Sequence, residues 1–377
     1  MQKGATGFTF LLFLSAFFFV IGLAWSFSTN LSNYQGDELS TVVIDDSTRE
    51  IFASGTWEHQ ELFLRQLVRE KNTAYALEVL SLVDIPKDGQ AHLLAHSIGE
   101  ATYEKYAMES LHHCQNDMLN GCVHGLMIAA VADVGTKGIQ NMVESCKVNT
   151  DFEYFMCSHA AGHGFMALHV YDLDLALAEC DALPGLDLVE RDHCYNGVFM
   201  ENVLGEHDGL TPFDRETLSQ SDLLLPCNQV ENKYKSACYL NQVTWWQQVF
   251  EGDLASMGEQ CSAVPEEFTL HCANSLGRVI ASLSPRVQDH HEYCKLAFSD
   301  ADTSAVTDAK KLQLECVSSI AVSKYALGDH SGSVETCLAH ENEQEQDTCL
   351  QLVENFSNYL DPDLALCEKY SSISVCQ

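Results

Sequence analysis

The sequence is short of positive charge, of proline and of every common catalytic fingerprint. Only 20 Lys and Arg stand against 54 Asp and Glu, a formal net charge of −34. A surface this acidic repels phosphate backbones, which argues against nucleic acid as a partner. It also avoids anionic lipid headgroups; it serves solubility or life in salty water, and the alternative is attraction of cations or basic partners. Seven prolines and 22 glycines in 377 residues are too few for an all-β chain full of tight turns. No CxxC pair occurs among the 16 cysteines, which argues against zinc ribbons, thioredoxin-type redox centres and haem attachment. GxSxG, HExxH, P-loop and dinucleotide fingerprints are missing too, so nothing supports a hydrolase or a nucleotide enzyme.

Charge is missing from the N-terminus as well. Lys3 is the only charged residue before Asp37, and Phe8–Trp25 reads FTFLLFLSAFFFVIGLAW. The run suits a short membrane span. It equally suits a signal-peptide core with Ala24 and Ser26 at the −3 and −1 positions. On either reading residues 1–27 carry the rest of the chain out of the cytosol, membrane-anchored or secreted, with the membrane engaged through this N-terminal helix. Residues 28–55 read as a polar tether.

Cysteine is abundant and even in number, which in a chain without metal-type spacing points to disulfides and an oxidising compartment. Taken consecutively the cysteines pair as Cys114 with Cys122, Cys146 with Cys157, Cys180 with Cys194, Cys227 with Cys238, Cys261 with Cys272, Cys294 with Cys316, Cys337 with Cys349, and Cys367 with Cys376. The second members recur every 27 to 44 residues, the period of a two-helix unit with variable loops. Each opens a helical pattern (CVHGLMIAAVADVG, CSHAAGHGFMALHV, CYNGVFMENVLG), a turn follows, and the next pattern closes on the first cysteine of the following pair. A helix-end cysteine and the next helix-start cysteine are then neighbours. Closing loops of this size is worth about 2–4 kcal/mol each in the chain-entropy model.

Aspartates at a fixed distance before a cysteine (Asp172, Asp253, Asp329) read as helix N-caps, and Ser284 with Pro285 as another helix start. Upstream, Leu62, Leu64, Leu67 and Val68, then Ala74, Leu77, Val79 and Leu80, fall at helical intervals. Asn72-Thr73 breaks that hairpin and Pro86 ends it. The expected fold is therefore all-α: an α-solenoid of two-helix repeats stapled by disulfides, behind the N-terminal membrane-targeting helix. Residues 56–205 form the N-terminal repeats and 206–377 the C-terminal ones. Gly252-Asp253-Leu254 and Ala176-x-x-x-Cys180 stand where a repeat's second helix starts and closes. In this the chain resembles tetratricopeptide and Sel-like helical repeats over roughly residues 56–377, without their diagnostic Trp, Gly and Tyr positions. The resemblance implies a scaffold, here for another envelope protein.

Histidine carries the chemistry. His92 and His96 lie four apart in AHLLAHSIGE, His159 and His163 four apart in CSHAAGHG, and His124 in CVHG. Aligned on the second cysteine (Gln90 standing in for it in the first unit), His92, His124 and His159 share one position, and His96 and His163 share the next turn. Asn196/Met200, Leu240/Thr244, Asn274/Arg278, Ser318/Val322 and Gln351/Asn355 fill these two columns later. Equivalent positions on stacked helices line one wall, so the five imidazoles converge. Neutral imidazole ligates zinc, iron and copper, and an i, i+4 pair offers two rings to one ion. Gly125, Gly162 and Gly164 allow close approach of the helices. Glu100 and Glu201 are placed to ligate, to hold a ligand or to act as a base.

The alternative is that the first column only bonds a carbonyl of the preceding turn at each repeat junction, in a metal-free scaffold. Helices 8–10 Å apart also make it hard for the first and third to share one ion, which leaves two sites, or one drawn from two helices. His112-His113 and His290-His291 read as solvated helix ends, and Trp245-Trp246 as core. Asn30 and Asn355 open glycosylation sequons.

Overall fold

Helix starts in this chain are marked by side-chain oxygens. In the computed structural model, which describes residues 42–85, 89–114, 120–146, 151–183, 188–205, 214–284, 286–299 and 309–360, Asn72 Oδ1 accepts the Tyr75 amide at 2.8 Å. It thereby separates α2 (Trp57–Glu70) from α3 (Thr73–Leu82) at the expected break. Asp45 does the same for α1 (Asp46–Ser54), accepting the Thr48 amide at 2.8 Å. This helix falls inside the stretch read as tether. Its polar sequence hides the helical period, and only Phe52 is buried. In α2 the buried face is Gln60, Leu64 and Val68, at four-residue spacing, whereas Leu62 is 56% exposed and off the stripe. The membrane-targeting helix, tether residues 28–41, Pro86 and the Cys367–Cys376 pair lie outside the described residues.

The remaining helices are α4 (Gly89–Tyr106), α5 (Gly121–Cys146), α6 (Asp151–Leu168), α7 (Leu173–Asp181), α8 (Leu188–Leu204), α9 (Lys235–Val249), α10 (Leu254–Ala263), α11 (Thr269–Leu283), α12 (Val287–Ala297), α13 (Ala309–Ala326), α14 (His330–Leu338) and α15 (Glu343–Leu360). No strand occurs among the described residues. The three aspartates act as caps: Asp172 accepts the Leu175 amide at 3.1 Å, Asp253 that of Ser256 at 3.2 Å and Asp329 that of Gly332 at 2.9 Å. Each such cap contributes about 1 kcal/mol. Ser284 instead accepts the Arg286 amide at 3.2 Å, just ahead of α12. Gly135, at φ 59°, kinks α5 into two helices, so that one element supplies both arms of its unit.

Each long helix packs on the next long helix along the chain: α2 on α4, then α5, α6, α8, α9, α11, α13 and α15 in turn. Among the short helices, α10 meets α12 and α12 meets α14. Seven of the eight expected disulfides are present among the described residues, with Cα–Cα separations from 5.4 Å (Cys261–Cys272) to 6.5 Å (Cys146–Cys157). One unit departs from the expected grammar. Cys227 lies in a run of turns, not at a helix end, because Pro226 beside it lacks the amide proton a helix interior needs. Trp245 and Trp246 are fully buried core residues, with Trp246 Nε1 donating to the Leu223 carbonyl at 2.7 Å. Ile44 onward forms one compact unit, and α8 packs directly on α9 across the 205/206 boundary.

Candidate metal centre

Glycines bring the histidine helices together. A Cβ on Gly125 of α5 would collide with the carbonyl oxygen of His96 on α4, and one on Gly162 of α6 with that of Cys194 on α8. Contact this close is open only to glycine. Gly164 faces the Met127 carbonyl less tightly, a Cβ there standing 3.1 Å from its oxygen.

All five imidazoles meet as a result. His92 and His96 project from α4, His124 from α5, and His159 and His163 from α6. His96 Nε2 lies 3.1 Å from His92 Nε2, His124 Nδ1 lies 3.3 Å from His92 Nε2, and His163 Nε2 lies 3.2 Å from His159 Nε2. The His124 ring stacks on His163 with centroids 4.5 Å apart, and His96 and His163, from the first and third helices, are 6.2 Å apart. The five rings are between 2% and 9% exposed. They divide into two triads that can each hold a metal ion, His92/His96/His124 and His124/His159/His163, with ligand atoms within 4.8 Å of one another in each.

Burial, with the nearby His163 adding to it, pushes the His124 and His159 pKa values well below the ordinary imidazole range. Both rings are therefore neutral near pH 7, the state that ligates metal. Among the described residues, His124 Nε2 and His159 Nδ1 are buried without a hydrogen-bond partner.

The two carboxylates part company. Glu201 of α8, 2% exposed, holds His163 Nδ1 through Oε2 at 2.7 Å. This fixes the tautomer: with the proton on Nδ1 directed at Glu201, the Nε2 lone pair of His163 faces His159. Glu100 lies one turn beyond His96 but is bound by Arg65 of α2 at 2.5 Å. That arginine also engages Glu104, so the clasp between α2 and α4 keeps Glu100 at the rim. A cavity of about 440 Å³ reaches His92, His96, His163 and Glu201, walled by Trp57, Glu61, Met200, Leu204 and Gln248 among others.

Tyr171 was not legible as a site residue. Its hydroxyl donates to Glu201 Oε1 at 2.6 Å, so Tyr171, Glu201 and His163 form a chain. Tyr171 sits at φ 62° beside Val170 at φ 51°, a left-handed turn that costs L-residues about 1–2 kcal/mol each. Gly252 and Gly328 occupy the same place before Asp253 and Asp329, also at positive φ. The signal was therefore present, as a tyrosine where the other capped turns carry glycine. Arg215 stacks 3.5 Å over the Tyr171 ring and donates to the Gly205 carbonyl, closing the far side.

No protein-family model matches the chain, and neither a curated protein nor a solved structure matches it, so the site is read from these residues alone.

Proposed function

We propose that this chain is an exported, membrane-tethered helical-repeat protein that binds a transition metal (zinc, iron or copper) through imidazoles on consecutive helices. The repeats stack as a disulfide-stapled solenoid in this reading, in keeping with the packing of each long helix on the next. Seven disulfides are in keeping with an oxidising, extracytoplasmic compartment.

The observation that carries the proposal is the spacing of the ring nitrogens. Tetrahedral sites with metal–nitrogen bonds of about 2.0–2.1 Å place their ligand atoms about 3.3 Å apart. Three pairs of imidazole nitrogens here stand 3.1, 3.2 and 3.3 Å apart. Packing alone accounts poorly for buried ring nitrogens without partners, since each costs about 1–3 kcal/mol. Three histidines per ion leave a coordination position open, the arrangement of catalytic and not of structural sites. The adjoining cavity gives a small ligand access to it, which supports a metalloenzyme reading. The metal-free envelope scaffold keeps its support in the C-terminal repeats, whose matching columns make junction hydrogen bonds.

The test is isothermal titration of the oxidised, untagged exported domain with Zn²⁺, beside a variant with His92, His96, His159 and His163 replaced by alanine. Tight binding by the first and none by the second is expected. Equal, weak heats from both would leave only the scaffold.

A further inference from the structure

The two triads share one ring, that of His124, which has two nitrogens to offer. His124 Nδ1 lies 3.3 Å from His92 Nε2, within the first triad. Its other nitrogen, Nε2, is buried without a hydrogen-bond partner among the described residues, while the ring lies against both members of the second triad: centroids are 4.5 Å from His163 and 5.0 Å from His159. The five histidines fall into two overlapping sets of three that share His124, and not into one set of five.

We propose that the cluster is a two-ion centre in which His124 is the common ligand, binding one ion through Nδ1 with His92 and His96 and the other through Nε2 with His159 and His163. The inference rests on the metal-binding reading above and adds the number of ions and the bridge. For both nitrogens of one imidazole to bind metal, the ring gives up its remaining N–H proton to solvent and becomes an anionic bridge. Each ion keeps three nitrogen ligands.

Charge favours loading twice. Two divalent ions bring four positive charges; the bridging ring sets one negative charge between them, and the Glu201 carboxylate lies behind the second triad against His163 Nδ1. Around them lies a chain of net charge −34, whose field concentrates cations. The ends of the centre differ. His163 is held by Glu201 and through it by Tyr171, and both triads border the cavity, the first through His92 and His96 and the second through His163.

The experiment loads the oxidised exported domain with Cu²⁺, with glycine as a weak competitor to strip surface copper. Copper per chain is measured after gel filtration and the electron paramagnetic resonance signal is integrated. The wild type is expected to hold two ions whose spins couple through the shared ring, so that the integrated signal falls below the copper content. The double variants His92→Ala/His96→Ala and His159→Ala/His163→Ala are each expected to hold one ion with a fully integrating, uncoupled signal. His124→Asn, which installs the residue of the following unit, is expected to lose the coupling. Circular dichroism checks that each variant is folded, and the two double variants test the count independently of His124.

Saturation of the wild type at one ion overturns the proposal. So does binding of two ions whose signals integrate in full. No copper in the folded wild type sinks the metal-binding reading itself, a different failure.

Discussion

The two halves of the repeat array put different residues into the same two columns. In the N-terminal units the columns hold His92/His96, His124 and His159/His163, and the rings turn toward one another. In the C-terminal units they hold Leu240, Asn274, Arg278 and Ser318; Arg278 and Asn274 bond to neighbouring helices, while the Ser318 hydroxyl is buried without a hydrogen-bond partner among the described residues. Arg278 donates to the Leu240 carbonyl at 2.6 Å, Asn274 donates to Glu315 at 3.0 Å, and neighbouring Ser319 donates to the Asn274 carbonyl at 2.7 Å. At the border, Asn196 accepts from Asn241 at 3.2 Å. The C-terminal columns thus hold residues that bond singly across a junction or stay isolated, as Ser318 does, whereas the N-terminal columns gather five imidazoles into one cluster. A repeat fixes where side chains meet, and the residue in the column decides what the meeting does.

The comparison breaks most sharply at the shared ring. His124→Asn should lower metal affinity by more than the 10–100-fold typical of losing only a ligand's supporting partner, with helicity unchanged by circular dichroism. Ser318→Asn, in the same column, should leave metal binding as it is. Next come two glycines with the same packing role. A Cβ on Gly125 meets the His96 carbonyl and one on Gly277 meets the Cys316 carbonyl. Both alanine variants should lose about 1–3 kcal/mol in thermal or denaturant unfolding, but only Gly125→Ala should also weaken metal binding.

Tyr171→Phe removes one hydroxyl from Glu201 and should cost about 10–100-fold in metal affinity with little change in stability of the metal-free chain. Tyr171→Gly should lose as much affinity while relaxing the left-handed turn, which separates the hydroxyl's contribution from the backbone's.

Both halves also carry buried, neutral histidines. Burial, with His291 adding to it, lowers the His340 pKa from 6.5 to about 4, and burial lowers those of His124 and His159 further up the chain. Their folded values lie below the unfolded one. Full stability is therefore present above about pH 6.5, and it is lost as pH falls from there toward 4 because the unfolded chain takes up protons first. Thermal unfolding of the metal-free protein across that range should show the decline, and His340→Asn should flatten part of it. Smallest is the cap: Asp253→Ala and Asp172→Ala should each cost about 1 kcal/mol, alike in the two halves.

Much of this was legible because cysteine acts as a ruler. The pairs set the register, the register aligned the histidines, and capping aspartates marked the short helices. What stayed hidden depended on contacts between units. Glu100 has the right helical offset from His96, but Arg65, on a different helix, takes its carboxylate. Tyr171 lies in a loop in the sequence and meets Glu201 from a left-handed turn. Asp46–Ser54 escaped because its helix is fixed by an Asp45 cap and not by an apolar stripe. Cys227 kept the ruler's period while Pro226 took away the helix expected to end there.

The most direct measurement is anomalous diffraction from crystals of the disulfide-bonded protein soaked in Zn²⁺ and recorded at the zinc edge. The account predicts two peaks inside the imidazole cluster, one bounded by His92, His96 and His124 and one by His124, His159 and His163. Peaks confined to surface groups such as His112, with the five buried rings unchanged, would contradict it.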